Sequence, residues 1–290
     1  MGIIEELKTK RVLLFDGAMG TMLYKKGLKK GEKTEIFGYK NPDKLLEIHK
    51  QYLEAGADII TTNTLGANEF NLKETDYTVE QIIHSAVEVA KKAISQVDSN
   101  EKKYVALDIG PTAKMLNPLG DLTEEQAYQL YKRQAIQGEK SKVDLILIET
   151  MINLKEAEIA VKASKENTSL PIFCTMTFSK YQRTYMGDKP EDMVVNLEKL
   201  GVDAVGINCS LGPMEIEHIV DEILSKATVP VIVQPNAGLP KFINDETVYE
   251  LDEYEFKNAM EIYIKKGVKI LGGCCGTTPN FTKELKKLSK

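Results

Sequence analysis

Eight short, almost unbroken apolar runs recur along the chain, and each closes on a polar or glycine-rich turn. They are RVLLFDG (11–17), DIITTNT (58–64), YVALDIG (104–110), DLILIET (144–150), PIFCTMTF (171–178), AVGINCS (204–210), PVIVQPN (230–236) and KILGGCC (269–275). A strand covered on one face alternates apolar and polar residues, whereas one covered on both faces reads apolar throughout. The stretches between the runs carry the helical period instead. Val79, Ile82, Ile83, Ala86, Val87, Ala90 and Ile94 recur at the spacing of one helix face. Thr123-Glu-Glu-Gln126 reads as a capping box, and Asn41-Pro42 as a cap followed by proline at the first helical position. Strand and helix alternating eight times predict an α/β chain, a (β/α)8 TIM barrel of buried parallel strands.

The connections are lopsided. Ala55-Gly-Ala-Asp58, Gly201-Val-Asp203 and Gly267-Val-Lys269 each end a helix on glycine and turn straight into the next strand. Several connections after strands are long, at 17–41, 111–122, 179–189 and 237–252. Elaboration therefore lies at the carboxyl ends of the strands, where such barrels carry their active sites. An open doubly wound sheet competes, but no G-x-G-x-x-G follows the first strand. The 290 residues fit a single barrel domain, 1–290, and no linker interrupts them.

Charge narrows the function. A net charge of −5 with scattered lysines leaves no footprint for nucleic acid. No apolar run is long enough to span a membrane, and the first residues lack the layout of a signal peptide, so a cytoplasmic protein is expected. Four cysteines, two of them adjacent, make a poor disulfide framework and suit a reducing compartment.

The predicted strand ends gather the candidate chemistry: Asp16, Asn63, Asp108, Glu149, Asn208 with Cys209, Asn236, and Cys274 with Cys275. Closing the eighth strand beside the first brings Cys274 and Cys275 near Asp16, with Cys209 two strands away. Three thiolates leave a tetrahedral zinc one vacant position, and no histidine sits in these turns to fill it. Structural zinc sites are closed by a fourth protein ligand, whereas catalytic ones keep a place for water or substrate. Cys174, inside its strand, reads as a small hydrophobe. The GGCCGT turn followed by a helix near Pro279 also reads as a phosphate cradle, and Asp16-Gly-Ala-Met-Gly-Thr21 as an anion nest or a plain tight turn. Glu149 requires a cation, a helix terminus or hydrogen-bond donors, because a buried carboxylate is costly alone. His49, His84 and His218 lie in helical stretches as solvent-facing or packing residues. Lys103, Lys142 and Lys269 sit at strand beginnings, which argues against a Schiff-base aldolase.

DGAMGT (16–21), TTNT (61–64), IGP (109–111), IET (148–150), GINCS (206–210), PNAGLP (235–240) and GGCCGT (272–277) resemble the homocysteine S-methyltransferase family, and most of all its cobalamin-dependent methionine synthase branch. The likeness runs from about residue 10 to 288. It implies zinc held by Cys209, Cys274 and Cys275, with Asn236 as a fourth ligand when substrate is absent. It implies that Asp16, Gly17 and Glu149 bind the amino-acid end of homocysteine, with Asn63 and Asn208 as further substrate contacts. The betaine-using branch has a tyrosine after the glutamate; here the residue is Thr150, which points away from betaine.

The mechanism implied is activation of homocysteine as a zinc-bound thiolate and its methylation to methionine. The expected donor is a methylcobalamin or related methylcorrinoid carried by a separate protein or domain, so the chain is either an excised module or a free-standing enzyme. S-methylmethionine is the alternative donor. A phosphate-binding lyase or isomerase and a docking module with structural zinc are the other readings.

Overall fold

The computed structural model describes residues 2–9, 11–243 and 246–289. Ten strands are present among them: β1 (Leu13–Leu14), β2 (Ile59–Thr61), β3 (Tyr104–Ile109), β4 (Leu145–Met151), β5 (Ile172–Met176), β6 (Ala204–Asn208), β7 (Val231–Gln234), β8 (Pro240–Ile243), β9 (Glu246–Tyr249) and β10 (Ile270–Leu271). Eight of these pair in parallel in the order β1-β10-β7-β6-β5-β4-β3-β2. The ring closes where Phe15 bridges Ile59, with the Asp58 amide donating to Leu14 O at 2.7 Å and the Asp16 amide to Ile59 O at 3.0 Å. The expected (β/α)8 barrel is therefore the observed fold.

The first and last runs are shorter as strands than their apolar length suggests. Only two residues of each ladder with one another, Leu13 with Ile270 and Leu14 with Leu271. Beyond them Gly272 lies so close to the first strand that an added Cβ would sit 2.8 Å from the Phe15 Cβ. The chain leaves the ladder there and becomes turn.

Two cores result, as a barrel requires. Leu13, Phe15, Ile59, Tyr104, Ala106, Leu145, Leu147, Phe173, Ala204, Ile232 and Ile270 fill the interior, every second residue of a strand pointing inward. The amino-terminal helix Ile3–Leu7 stoppers this interior from the bottom, with Ile3 and Leu7 joining the cluster. The alternate strand residues pack outward against the helices, including Val79, Ile82, Ile83, Val87 and Ala90 of the helix Val79–Gln96.

Local signals mostly hold. Thr123 caps the helix Glu124–Lys140 and exchanges hydrogen bonds with Gln126. Gly56, Gly201 and Gly267 take left-handed conformations with φ of 109°, 83° and 101°, as helix ends leading directly into strands require. Asn41 differs from expectation. Its side chain makes no cap bond to the helix Pro42–Ala55 and instead donates to Phe37 O at 2.9 Å, finishing the preceding helix Thr34–Lys40. Pro42 does stand at the first helical turn.

The lower end carries an ion-pair knot. Asp58 is fully buried, accepts from the Leu14 amide at 3.0 Å, and pairs with Arg11, with Lys103 at 3.3 Å and with Lys286 at 3.7 Å. The upper end carries the long connections. Segment 17–41 folds into the helices Met19–Lys25 and Thr34–Lys40, and 237–252 contains the antiparallel hairpin of β8 and β9. No helix among the described residues is long and apolar enough to cross a membrane.

Candidate functional site

Cys209 follows the last residue of β6 and, with Ser210, adopts a left-handed backbone with φ of 61° and 60°. Such a conformation is costly for residues with a Cβ and is held by its surroundings. The Cys209 amide donates to Gln234 O at 3.0 Å, its carbonyl accepts from Leu211 N at 2.8 Å, and the Ser210 and Thr177 hydroxyls hydrogen-bond each other. Cys274 and Cys275 come from the turn after β10. The Cys274 amide donates to Pro235 O at 2.8 Å, and Cys275 O accepts from Ala237 N at 2.9 Å. Thr277 pins the same turn to the first loop: its hydroxyl donates to Cys274 O at 2.7 Å and accepts from Ala18 N at 3.2 Å, while Tyr52 donates to Thr277 O at 3.2 Å. Gly17 sits inside this joint, where a Cβ would meet the Thr277 hydroxyl at 2.6 Å and the Tyr52 ring at 3.0 Å.

The result is a sulfur triangle. The Sγ atoms of Cys209, Cys274 and Cys275 all lie within 4.8 Å of one another, and Cys209 and Cys275 are 3.8 Å apart. Zinc–sulfur bonds of about 2.3 Å in a tetrahedron require sulfurs about 3.8 Å apart, so the donor set fits that ion. The protons tell the same story. Hydrogen bonds from Cys209 and Cys274 hold the Cys275 thiol down to about 3, while Cys274 is raised by those with Cys209 and Cys275. Cys209, which exchanges hydrogen bonds with both neighbours and is desolvated, is pushed up to about 12. One thiolate is favoured and two more are resisted unless a cation compensates. Cys174 lies apart, fully buried in the outer core, with its thiol pushed up by burial.

Asn236 lies in the loop that holds the cysteine turn. It is buried, its amide N–H donates to Leu211 O at 3.0 Å, and its flanking residues Pro235 and Ala237 bond the cysteine turn. Its side-chain oxygen has no hydrogen-bond partner. A buried carbonyl oxygen left without a partner calls for one, and a cation is a candidate.

Three carboxyl groups share the mouth. Burial raises Asp16 to about 8, against the lowering effect of hydrogen bonds from Thr61 N at 2.9 Å and the Thr61 hydroxyl. Burial raises Asp108 well above the usual range, with the charges of Glu149, Asp16 and Glu35 adding to it, and one Asp108 carboxyl oxygen is without a partner. Glu149 is raised to about 7, by desolvation and then by Cys275. None of the three pairs with a described lysine or arginine, so the arginine or helix end considered for Glu149 is absent among the described residues. Its partner is Asn208, which donates to it at 3.3 Å.

Asn208 is wholly buried with both ends of its amide engaged. Its oxygen accepts from Thr150 N at 2.8 Å and the Thr175 hydroxyl at 2.9 Å, and its nitrogen also donates to the Thr150 hydroxyl at 2.7 Å. That places it beneath the carboxylate it orients. Asn63 is buried as well, and its amide nitrogen donates to Thr34 O at 2.8 Å.

The turn carrying Cys274 and Cys275 has little to offer a phosphate. Gly272 N, Gly273 N and Cys274 N donate to Val233 O, Asp16 O and Pro235 O; Gly276 N donates to the Thr21 hydroxyl and Thr277 N to Cys274 O. In the first loop, Ala18 N is likewise engaged by the Thr277 hydroxyl. His49 is buried without a partner and lowered to about 4 by desolvation, hence a neutral packing residue, and His84 and His218 are exposed. Two site residues escaped the sequence reading. Tyr249, in the hairpin, lays its ring against Gly276 of the cysteine turn, and no local signal announces it. Thr277 was visible only as the end of GGCCGT, a motif whose cysteines drew the attention.

Residues 13–289 match the family model described as Homocysteine S-methyltransferase. The chain is similar to the methionine synthase of Mycobacterium tuberculosis (strain ATCC 25618 / H37Rv), at 32% identity over 97% of this chain and 25% of the relative. It is likewise similar to that of Mycobacterium leprae (strain TN), at 31% identity over 97% of this chain and 24% of the relative. It thus spans about a quarter of the length of these relatives. Among solved structures, the metallated form of the homocysteine methyltransferase MmuM from Escherichia coli superposes with a TM-score of 0.83, covering 98% of each chain at 22% identity. The oxidized form gives 0.81, covering 97% of this chain and 96% of that one at 20% identity.

Proposed function

The chain belongs to the homocysteine S-methyltransferase family, and from that premise we propose that it is a single barrel domain, 1–290, that converts homocysteine to methionine at Cys209, Cys274 and Cys275. The observation that carries the reading is the sulfur triangle, three thiols from the ends of β6 and β10 within 4.8 Å of one another at the open end of a barrel. Zinc bound there would lower the pKa of an added thiol, otherwise only a few per cent ionised at neutral pH, and hold its sulfur as a thiolate.

The chain's own residues do the rest. Asn236, whose side-chain oxygen has no hydrogen-bond partner, would serve as a further ligand while substrate is absent. Asp16 and Glu149, with Asp108 beside them, receive the α-ammonium group, and Asn208 fixes the Glu149 carboxylate in place. Gly17 lets the first loop lie against Thr277, which sets the wall that meets the substrate carboxylate. Held at both ends, the sulfur attacks a methyl carbon in line; its bond to carbon forms as the bond from carbon to the donor breaks. The product thioether has no proton to lose and leaves.

A methylcorrinoid on a separate protein or domain is the donor proposed, supported by the identity to methionine synthases of which this chain spans about a quarter. S-methylmethionine is the second candidate. A cytoplasmic setting suits the reduced cysteines. The test is a donor screen with purified chain, zinc and homocysteine, following methionine by mass spectrometry with a methylated corrinoid protein or with S-methylmethionine. X-ray absorption should show a sulfur ligand added on homocysteine binding. A chain that retains no zinc, or a zinc whose sulfur coordination ignores homocysteine, sinks the proposal.

A further inference from the structure

Asp108, Gln234 and Asn236 each carry a buried side-chain oxygen with no hydrogen-bond partner among the described residues, and all three stand at the carboxyl ends of strands. Asp108 belongs with the acids of the mouth and Asn236 with the loop that holds the cysteine turn. Gln234, only 3% exposed at the end of β7, belongs to neither. Strand residues two apart share a face, and Ile232 fills the barrel interior, so Gln234 points inward above it. Its backbone serves the cysteines: Gln234 O accepts from Cys209 N at 3.0 Å, and Gln234 lies in register with Asn208. Its side chain runs the other way, over Gly272. A Cβ on Gly272 would lie 3.0 Å from Gln234 Cγ and 3.3 Å from Asp16 O. The bare glycine therefore leaves Gln234 room to reach across the end of β10 toward the strand that carries Asp16.

We propose that Gln234 is a further substrate-binding residue, its side-chain oxygen accepting a hydrogen bond from the α-ammonium group of the bound amino acid; the inference rests on the homocysteine reading above. A buried carbonyl oxygen without a partner calls for a donor. Homocysteine held as a thiolate keeps one kind of donor, its ammonium, because its carboxylate only accepts. An ammonium group has three N–H donors. Asp16 and Glu149 take two, and both Asp16 oxygens already accept from Thr61. A neutral carboxamide supplies the third acceptor without adding another negative charge to a mouth that holds Asp16, Asp108 and Glu149.

The experiment measures, by calorimetry on the zinc-loaded full chain, the dissociation constants of homocysteine and of 4-mercaptobutyrate, which has the same thiol and carboxylate but no ammonium. Gln234→Met keeps the length of the side chain and removes the carboxamide; Gln234→Asn withdraws the carboxamide by one methylene. Both variants are expected to bind homocysteine about tenfold more weakly, with 4-mercaptobutyrate affinity and zinc stoichiometry as in the parent. A preference for homocysteine equal to the parent's in either variant overturns the inference. An equal loss for both ligands also overturns it, since that assigns Gln234 to the shape of the floor. A parent chain that binds neither thiol sinks the homocysteine reading and this inference together.

Discussion

Asn208 and Thr150 clasp each other over β5: the Thr150 amide donates to the Asn208 side-chain oxygen at 2.8 Å, and the Asn208 nitrogen donates to the Thr150 hydroxyl at 2.7 Å. Thr150 has a left-handed φ of 61°, and the register of β4 against β5 shifts between Ile148 and Met151. Such an irregularity re-aims a side chain, here the Glu149 carboxylate. Asn208→Ala removes the donors and acceptors that hold this geometry. It should cost about 2–4 kcal/mol of stability in urea unfolding and raise the homocysteine dissociation constant measured by calorimetry. Wild-type values on both counts would show the clasp to be incidental.

The cysteines divide three to one. Cys209→Ala, Cys274→Ala and Cys275→Ala should each lose stoichiometric zinc and methionine formation. Cys174→Ala, in the outer core, should keep both and lose about 1 kcal/mol. Metal analysis after dialysis distinguishes the classes. Full zinc and activity in any one of the first three would remove that residue from the centre.

Asp16 sets a pH dependence for the metal-free, substrate-free chain. Burial raises its pKa from the ordinary 3.8 to about 8, so the folded form binds more protons than the unfolded chain between those values. Stability should therefore be greatest at and below about pH 4 as far as this group is concerned. It should fall as pH rises toward 8, by up to about 1.4 kcal/mol per unit. Asp16→Asn should flatten this slope and stabilise the free protein at pH 8 while weakening homocysteine binding. Denaturation curves at several pH values, with an unchanged slope in the variant, would refute the assignment.

How much of this was legible in the sequence follows from where each constraint lives. The barrel was readable because strands covered on both faces must be apolar throughout, and glycines at Gly56, Gly201 and Gly267 had to end helices. The cysteines were readable because the ends of two strands, the sixth and the eighth of a closed sheet, converge. The plug Ile3–Leu7 was not, since five residues carry too little periodicity. Nor were the roles of Asn208 and Tyr249, which depend on a register shift and on a hairpin folding back over the mouth. Asn41 misled because a side chain able to cap one helix can equally finish another.

Asp58 separates stability from chemistry. It lies at the barrel bottom among Arg11, Lys103 and Lys286. Asp58→Ala leaves the buried Leu14 amide without its acceptor and Lys103 with Glu101 alone, and should cost about 3–5 kcal/mol. Zinc stoichiometry and homocysteine affinity of the folded fraction should be unchanged. A selective loss of zinc in this variant would mean the two ends are coupled.

The joint made by Ala18, Tyr52, Thr277 and Cys274 has a consequence for biosynthesis. Cys209 leaves the ribosome 66 positions before Cys275, and the turn bearing the later pair is secured by the loop after β7 and by docking onto the loop after β1. A nascent chain therefore lacks the assembled thiol cluster until its final strand is translated and seated against the opening one. Metal capture at the proposed centre would therefore report that the whole ring has been completed.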